Sequence, residues 1–264
     1  MSDVFDSLDA ITGILDHSPF GLITDIDGTI GEIAPLPAEA EVHPECKDQL
    51  SRLVGRLSLV AAISGRPVLE AKEMVGVDGM VYIGNHGLER WQNGVTEYVQ
   101  DAEEYRAKVA AARQGLMDLT SIENLYMEDK GVALAIHYRN CPDRQQARQS
   151  ILKQIEGARS SKGFKIVEGK MVVDLRPPVE VNKGSAVKDL IRDYRLRGGL
   201  YLGDDASDID AFRVIHKEGF VAVGVLGDET PVEVVREADY TLSGVSDVAR
   251  FLKWLVEAVG YTHG

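Results

Sequence analysis

Apolar residues recur along the chain with two spacings, which predict strands and helices in alternation. Short, nearly uninterrupted apolar runs at Phe20–Thr24, Leu57–Ile63 and Val81–Gly84 predict buried strands. Amphipathic segments around them predict helices over residues 3–16 and 44–56, the second with a proline in its first turn. Since strands that alternate with helices favour a parallel sheet, this part of the chain predicts an α/β core.

The same alternation returns towards the carboxyl end. The predicted elements are a helix over Lys183–Tyr194, a strand at Leu200–Leu202, a helix over Asp208–His216, a strand at Phe220–Val225 and an amphipathic helix over Val245–Val259. Both ends of the chain therefore show the same alternation of strands and helices, which predicts a single sheet built from both of them.

The middle of the chain changes to the order helix–strand–strand, repeated once. The predicted elements are a helix over 101–119, strands at 125–128 and 132–138, a helix over 142–158 and strands at 164–167 and 171–175. This order predicts a small antiparallel α+β unit with two helices.

Charge marks the same middle segment. The whole chain has 42 acidic and 29 basic residues, a net charge of −13. Residues 98–180 hold 13 basic and 12 acidic residues, a net of +1, which leaves a net of −14 for the remainder. We therefore expect a core domain of residues 1–97 plus 181–264 and an inserted domain of residues 98–180.

Composition excludes several classes of protein. An acidic chain lacks the basic surface that nucleic-acid phosphates require. No apolar stretch approaches the ~20 residues of a membrane-spanning helix. The first 19 residues are acidic and lack the features of a signal peptide, and the two cysteines have no CxxC spacing, so we expect a cytoplasmic protein. A monomer without nucleic-acid or membrane partners is expected.

Two aspartates directly after the first buried strand are the strongest chemical signal. Asp25 and Asp27 are separated by one residue, and Gly28 and Thr29 follow them. Catalytic groups in open α/β sheets gather at the carboxyl ends of strands. One aspartate can attack phosphorus to form an acyl phosphate, and the other can protonate the leaving oxygen and then activate water. Thr29 offers a hydroxyl to a phosphate oxygen.

A second acidic cluster, Gly203–Asp208, follows another predicted strand. Carboxylates from two strand ends repel one another, and Mg²⁺ suits such oxygen ligands together with a phosphate. Asp204 is a candidate ligand, while Asp205 and Asp208 remain open as further ligands, and Asp208 also suits a helix cap behind the site.

Two further positions lie at strand ends or helix starts. Ser64, in the segment ISGRP, offers a hydroxyl and an N–H to a phosphate. Lys183, at the start of a predicted helix, can neutralise charge that develops on a transferred phosphoryl group.

The segments DIDGT, ISGRP, NKG and GDDASD resemble, in order, the four motifs of the haloacid dehalogenase superfamily of phosphohydrolases. The resemblance implies a Rossmann-like parallel core with an inserted α+β cap domain. It also implies that Asp25 is the nucleophile, Asp27 the acid/base and Lys183 a catalytic cation. The resemblance implies that Ser64 and Lys183 bind the phosphoryl group and that Asp25, the main-chain oxygen of Asp27 and Asp204 hold Mg²⁺. Thr29, Gly65 and Arg66 are predicted as further phosphate-binding residues, and Asp208 as a further metal ligand.

Within that superfamily the sequence is most similar to the trehalose-6-phosphate phosphatases. The similarity rests on GNHG at 84–87, EDKG at 128–131, HYRN at 137–140, DLRP at 174–177 and GDDASDIDAF at 203–212. It implies sugar binding by Glu128, Lys130, Arg139, Asn140 and Asp174. His86, in a loop after a strand near the phosphate site, is a further candidate for substrate binding, and a structural loop histidine is the alternative. Asp174 departs from the glutamate common there in the family, and Ile26, Ser207 and Ile209 are further departures.

The sequence therefore predicts an Mg²⁺-dependent phosphomonoesterase acting on trehalose 6-phosphate, a small-molecule sugar phosphate. The motifs contact only the phosphate, so a phosphatase for another sugar or polyol phosphate, of the sucrose-6-phosphate or glucosylglycerol-phosphate type, is the main alternative. A phosphotransferase and an inactive sugar-phosphate-binding regulator are the others. His137 is interpreted as a packing residue.

Overall fold

The structure is a computed structural model that describes residues 2–34, 39–99 and 101–261. Its contacts divide the chain into two compact units. The core unit comprises Met1–Glu97 and Val181–Gly264, and the inserted unit comprises Tyr98–Glu180.

The strands and helices follow the alternation of the sequence. The strands are β1 Ser2–Asp3, β2 Phe20–Thr24, β3 Leu59–Ile63, β4 Val81–Gly84, β5 Glu89–Gln92, β6 Val95–Tyr98, β7 Tyr126–Asp129, β8 Leu134–His137, β9 Lys165–Gly169, β10 Val172–Arg176, β11 Gly198–Gly203, β12 Val221–Leu226 and β13 Tyr240–Ser243. The helices are α1 Leu8–Leu15, α2 Pro44–Leu53, α3 Val68–Val75, α4 Tyr105–Gly115, α5 Arg144–Gly157, α6 Lys183–Tyr194, α7 Ile209–Lys217, α8 Val232–Glu237 and α9 Val245–Tyr261.

The core unit is built on one sheet with the strand order β1-β13-β12-β11-β2-β3-β4-β5-β6. In this sheet order, each neighbouring pair from β1 at one edge through to β4 is parallel. β5 then pairs with β4 in antiparallel orientation. Every residue of β2 and β3 is buried, as expected for central strands of a parallel sheet covered on both faces. Apolar clusters lie on both sides of this sheet.

The central strand pair positions the chemistry. β2 and β11 run parallel, and Thr24 is in register with Leu202. The next residues of both strands are thus neighbours, and the Asp25 N–H donates to the carbonyl of Leu202 at 2.8 Å. The Asp-x-Asp segment and the GDD segment consequently leave the sheet side by side.

The inserted unit holds an antiparallel sheet with the order β7-β8-β10-β9. One face packs on α4 and α5 through a buried apolar cluster that includes Val109, Leu134, Ile136, Ile151 and Val173. Because side chains alternate across a strand, the opposite face receives the intervening residues, and most of these are polar.

The predicted fold class is confirmed, since the core is a parallel α/β sheet. The predicted helix over residues 3–16 is wrong in its first part, where a 3₁₀ turn at Val4–Asp6 precedes α1. Sequence patterning also missed β1 and β13, because strands of two and four residues carry too little alternation to be recognised. Among the described residues, every helix is too short or too polar to cross a bilayer.

Candidate active site

Asp25 and Asp204 meet at the carboxyl edge of the sheet, where β2 and β11 end. Both are nearly buried, at 5% and 6% exposure. Gly28 makes this approach possible, because a Cβ atom there would lie 2.2 Å from Asp204 Oδ2. Its φ of +86° is also a conformation that glycine adopts at little cost.

Lys183 lies between two of the carboxylates. It is the first residue of α6, whose N-cap is Asn182 in a reciprocal capping box with Ser185. Lys183 Nζ donates to Asp25 Oδ1 at 2.6 Å and to Asp208 Oδ1 at 2.7 Å. The capped helix end thus fixes the backbone position of Lys183, whose buried ammonium group contacts Asp25.

Asp208 is held by four donors, two on each oxygen. Oδ1 accepts from Lys183 and, at 2.6 Å, from the Tyr201 hydroxyl, while Oδ2 accepts from the backbone N–H groups of Asp204 and Asp205 at 3.2 and 3.0 Å. These bonds use the acceptor capacity of the carboxylate. The geometry therefore suits Asp208 to orienting Lys183 and the GDD loop, in preference to binding a metal directly.

The carboxylates fit a divalent cation. Asp25, Asp204 and Asp208 each place an oxygen atom within 4.8 Å of the others, and all three are buried. Lys183 supplies a single positive charge against their three negative charges. Buried charges need compensation, and a hard dication with oxygen ligands supplies the two missing charges. Asp25 and Asp204 are the residues that would hold it.

The pKa shifts in the cluster also reflect crowded, buried negative charge. Burial raises the pKa of Asp25 well above its ordinary value, Lys183 opposes this, and Asp208 and Asp204 add to it. Burial, and next Asp208, raise the pKa of Asp204 to about 7. Burial by itself lowers the pKa of Lys183, but Asp208 and Asp25 outweigh it and the pKa rises, so the lysine is charged.

We expect Mg²⁺ to stabilise the protein more at pH 8 than at pH 5.5. Between the ordinary value of 3.8 and about 7, folded Asp204 holds more protons than unfolded Asp204, so its contribution to the free energy of unfolding falls as pH rises. A divalent cation bound to the ionised carboxylates would offset this fall. At ~100 times its Kd it adds roughly 2.7 kcal/mol, or several degrees in Tm.

Thermal unfolding with Mg²⁺ and with EDTA at both pH values checks this expectation. The Asp204→Asn variant is the control and should lose most of the difference. An equal Mg²⁺ effect at both pH values, or an unchanged effect in the variant, would contradict the assignment.

The predicted phosphate-binding residues differ in their surroundings and in their hydrogen-bond partners. Thr29 is fully buried and donates to Asp204 Oδ1 at 3.2 Å, so its hydroxyl orients a carboxylate. Ser64 follows β3, and its Oγ accepts from the Arg66 N–H at 3.1 Å. His86 lies beside this loop: a Cβ atom on Gly65 would be 2.6 Å from His86 Nε2. His86 is thereby placed in the core unit near the predicted phosphate loop.

Arg66 forms a paired contact with Asp27. Its Nε and Nη2 groups donate to Asp27 Oδ2 and Oδ1 at 2.8 and 2.7 Å. Side-chain exposure is 14% for the arginine and 34% for the aspartate. Such a two-bond contact fixes both planes, so the guanidinium holds the carboxyl of Asp27 in one orientation.

The predicted sugar-binding residues lie in the inserted unit and are only partly brought together. Glu128 lies 4.0 Å from Lys130, measured between Oε2 and Nζ. Arg139 and Asn140 follow β8, at the opposite end of the β7–β8 hairpin from Lys130.

Asp174 lies on β10, which pairs with β8. Arg176 donates to Asp174 Oδ2 through Nε at 3.1 Å and also through Nη2. Asp174 Oδ1 is buried, and none of the described residues donates a hydrogen bond to it. A buried acceptor of this kind costs ~1–3 kcal/mol until a donor reaches it.

Sequence reasoning missed the roles of Tyr201 and Arg176 and interpreted His137 as packing. Tyr201 lies within an apolar strand, where nothing in the pattern marks its hydroxyl as functional. Arg176 is the second residue after Asp174, so alternation along a strand places both side chains on one face; that signal was available.

An Asp-x-Asp strand end, a lysine at a helix start and an acidic loop at one sheet edge, together with an inserted α+β unit, define a haloacid dehalogenase-like fold. Solved structures agree on the fold. A trehalose-6-phosphate phosphatase related protein has a TM-score of 0.78 at 22% identity, over 92% of this chain and 100% of that one. The C-terminal domain of the C. albicans trehalose-6-phosphate phosphatase has a TM-score of 0.72 at 22% identity, over 95% and 97%.

The family is given by the sequence comparison. The model of the trehalose-phosphatase family matches residues 23–246, so the chain belongs to the trehalose-phosphatase family. The trehalose-phosphate phosphatase of Mycobacterium tuberculosis H37Rv is 29% identical over 83% of this chain, and that of Mycobacterium marinum is 30% identical over 87%. The chain spans 58% and 60% of the lengths of these relatives.

Proposed function

We propose that this protein is a phosphomonoesterase that hydrolyses trehalose 6-phosphate to trehalose and inorganic phosphate. The observation that carries the proposal is the buried arrangement in which Lys183 contacts Asp25 at 2.6 Å and Asp204 lies beside them. Membership of the trehalose-phosphatase family supports the choice of sugar.

In the first half of the reaction, an Asp25 carboxylate oxygen attacks phosphorus. The bond between phosphorus and the sugar oxygen breaks as the new bond forms, and the phosphoryl group becomes an acyl phosphate on Asp25. Asp27 gives its proton to the departing sugar oxygen. Lys183 faces the charge that develops on the phosphoryl oxygens.

In the second half, water attacks the phosphorus of the acyl phosphate. Asp27, now ionised, takes a proton from that water, and the bond between phosphorus and Asp25 breaks to release phosphate. Each proton lost by Asp27 in the first half is thus recovered in the second. Mg²⁺ held by Asp25 and Asp204, together with the main-chain oxygen of Asp27, supplies charge neutralisation when bound.

Arg66 connects the proton carrier with the phosphate loop. Each oxygen of Asp27 accepts one hydrogen bond from Arg66, so the guanidinium engages the carboxyl that carries the proton in this scheme. An arriving phosphate offers the guanidinium another two-oxygen acceptor. We therefore assign Arg66, with Ser64 and Gly65, to the phosphate, and propose that substrate binding releases Asp27. Thr29 orients Asp204 in this scheme.

We propose that the inserted unit selects the sugar through Glu128, Lys130, Arg139, Asn140 and Asp174. These side chains offer both donors and acceptors, which the many hydroxyl groups of a disaccharide require. Because Asp174 replaces a longer side chain, a phosphatase for another sugar or polyol phosphate remains the second candidate. We infer that His86, placed beside Gly65, helps to orient the phosphate end of the substrate.

We expect Glu128→Ala and Lys130→Ala to lower kcat/KM for trehalose 6-phosphate by about 10–100-fold, since each removes about 1.5–3 kcal/mol of charged hydrogen bonding. Hydrolysis of a small aryl phosphate should change less than 2-fold, because it has no sugar to contact. Steady-state kinetics on both substrates measure this. Glu168→Ala is a matched control, because Glu168 is exposed and pairs with Arg148 in the same unit. Equal losses on both substrates would mean a structural role.

The proposed function is tested by phosphate release from a panel of sugar phosphates with Mg²⁺ and with EDTA. The panel contains trehalose 6-phosphate, sucrose 6-phosphate, glucosylglycerol phosphate and simple hexose phosphates. Metal-dependent release that is fastest from trehalose 6-phosphate supports the proposal. Faster release from another sugar phosphate would overturn the assignment of trehalose 6-phosphate as the substrate. Turnover that requires an added acceptor other than water indicates a phosphotransferase. A monomeric state and a cytoplasmic location stay predictions of the sequence.

A further inference from the structure

The His137 side chain contacts Glu128 on the face of the inserted sheet opposite its helices. His137 Nε2 lies 2.7 Å from Glu128 Oε2. An ionised carboxylate only accepts, so the imidazole donates through Nε2. The side-chain exposures are 25% for the histidine and 11% for the glutamate.

Strand register explains how the two side chains meet. In the pairing of β7 with β8, Tyr126 is opposite His137 and Glu128 is opposite Ala135. Ala135 is small and fully buried, so the longer side chain of Glu128 can reach diagonally to His137. Tyr126 stacks on the imidazole, with ring centroids 5.8 Å apart and 28° between the planes.

This arrangement restrains a flexible side chain. An unrestrained glutamate loses ~1.5–2 kcal/mol of rotamer freedom when it is ordered by a ligand. His137 orders Glu128 beforehand, and Tyr126 in turn limits rotation of the imidazole. Preorganisation of this kind strengthens binding without adding a contact to the ligand.

We propose that His137 is a positioning residue that sets sugar affinity by fixing the carboxylate of Glu128. The inference rests on the proposed function in that it takes Glu128 to contact the sugar. It assigns His137 no contact with the phosphoryl group, whose binding residues lie in the core unit. Loss of the imidazole donor should therefore weaken sugar binding and spare the chemical step.

The experiment compares His137→Leu with His137→Gln, because glutamine places an amide N–H near the position of the imidazole Nε2. His137→Leu should raise KM for the preferred sugar phosphate about 10-fold and change kcat less than 3-fold, since ~1.4 kcal/mol is a factor of ten. His137→Gln should restore most of the KM. Kinetics on a small aryl phosphate should be unchanged in both variants. His216→Gln is a matched control, since His216 pairs with Asp239 on the core unit.

Three results would overturn the inference: an unchanged KM in His137→Leu, equal defects in the leucine and glutamine variants, or an equal loss on the aryl phosphate. Thermal unfolding of each variant checks that the inserted unit still folds. The proposed function fails separately, if the wild-type protein prefers another sugar phosphate. His137 is then judged on that preferred substrate, so the two failures are distinguishable.

Discussion

Asp25→Asn should reduce turnover by at least ~10⁴-fold, because an amide cannot displace the sugar oxygen to form an acyl phosphate. The fold should persist. Asparagine has nearly the shape of aspartate, and it removes one of three crowded negative charges from a buried site. Lys183 retains Asp208 as a partner at 2.7 Å, so the cation is not left without a counter-charge.

Phosphate release under saturating trehalose 6-phosphate measures the loss, and circular dichroism with thermal unfolding measures the fold. Asp189→Asn is the matched control, because Asp189 is exposed on α6 and pairs with Arg192. Acid-quenched wild-type enzyme should carry a phosphoryl group on Asp25, detectable by mass spectrometry, and the variant should carry none. Near-normal turnover by Asp25→Asn would exclude the covalent mechanism.

Lys183→Met should have the second-largest effect, on both activity and stability. Methionine fills a similar volume but removes the cation that contacts Asp25 and Asp208. Breaking a buried ion pair by removing one partner costs about 3–5 kcal/mol, because the remaining charges lose their compensation. Activity should fall by about 10³-fold or more, since charge on the phosphoryl group loses its partner.

A double variant separates these two effects. Adding Asp208→Asn to Lys183→Met removes one uncompensated carboxylate, so chemical denaturation should show part of the stability restored. Activity should stay low, because the cation that Lys183 supplies to the phosphoryl group in the proposed reaction is still absent. Lys188→Met, at an exposed position of the same helix, should leave both quantities unchanged. A Lys183→Met variant of wild-type stability would contradict the ion-pair account.

Much of the core was predictable because its signals are local. Buried strands such as β2 need continuous apolar residues, and a parallel sheet brings all carboxyl strand ends to one edge. The sequence thus placed Asp25 and Asp204 at strand ends, and the structure brings their carboxylates together. The boundaries of β2 and β4 agree with the prediction, and those of the other predicted strands differ by at most two residues. The short strands β1 and β13 were missed, because their pairing depends on neighbours distant in sequence.

Hydrogen-bond partners were not predictable from the pattern. Thr29 was predicted to contact a phosphate oxygen, which stays a prediction, and the structure adds a hydrogen bond from its hydroxyl to Asp204. Arg66 was also expected at the phosphate, and its guanidinium contacts Asp27 in the structure. Asp208 was left open as a metal ligand, and four donors surround it. Each outcome depends on a side chain from another segment, whose approach no local spacing encodes.

Local patterns along the chain were sufficient to predict the fold class, the order of the motifs and the residue types available for phosphoryl chemistry, because strand and helix periodicities are local properties. Which atoms meet became evident in the folded protein alone: Lys183 lies between Asp25 and Asp208, and His137 contacts Glu128. Such contacts arise from strand register and helix packing, and both are set by the burial of distant apolar residues.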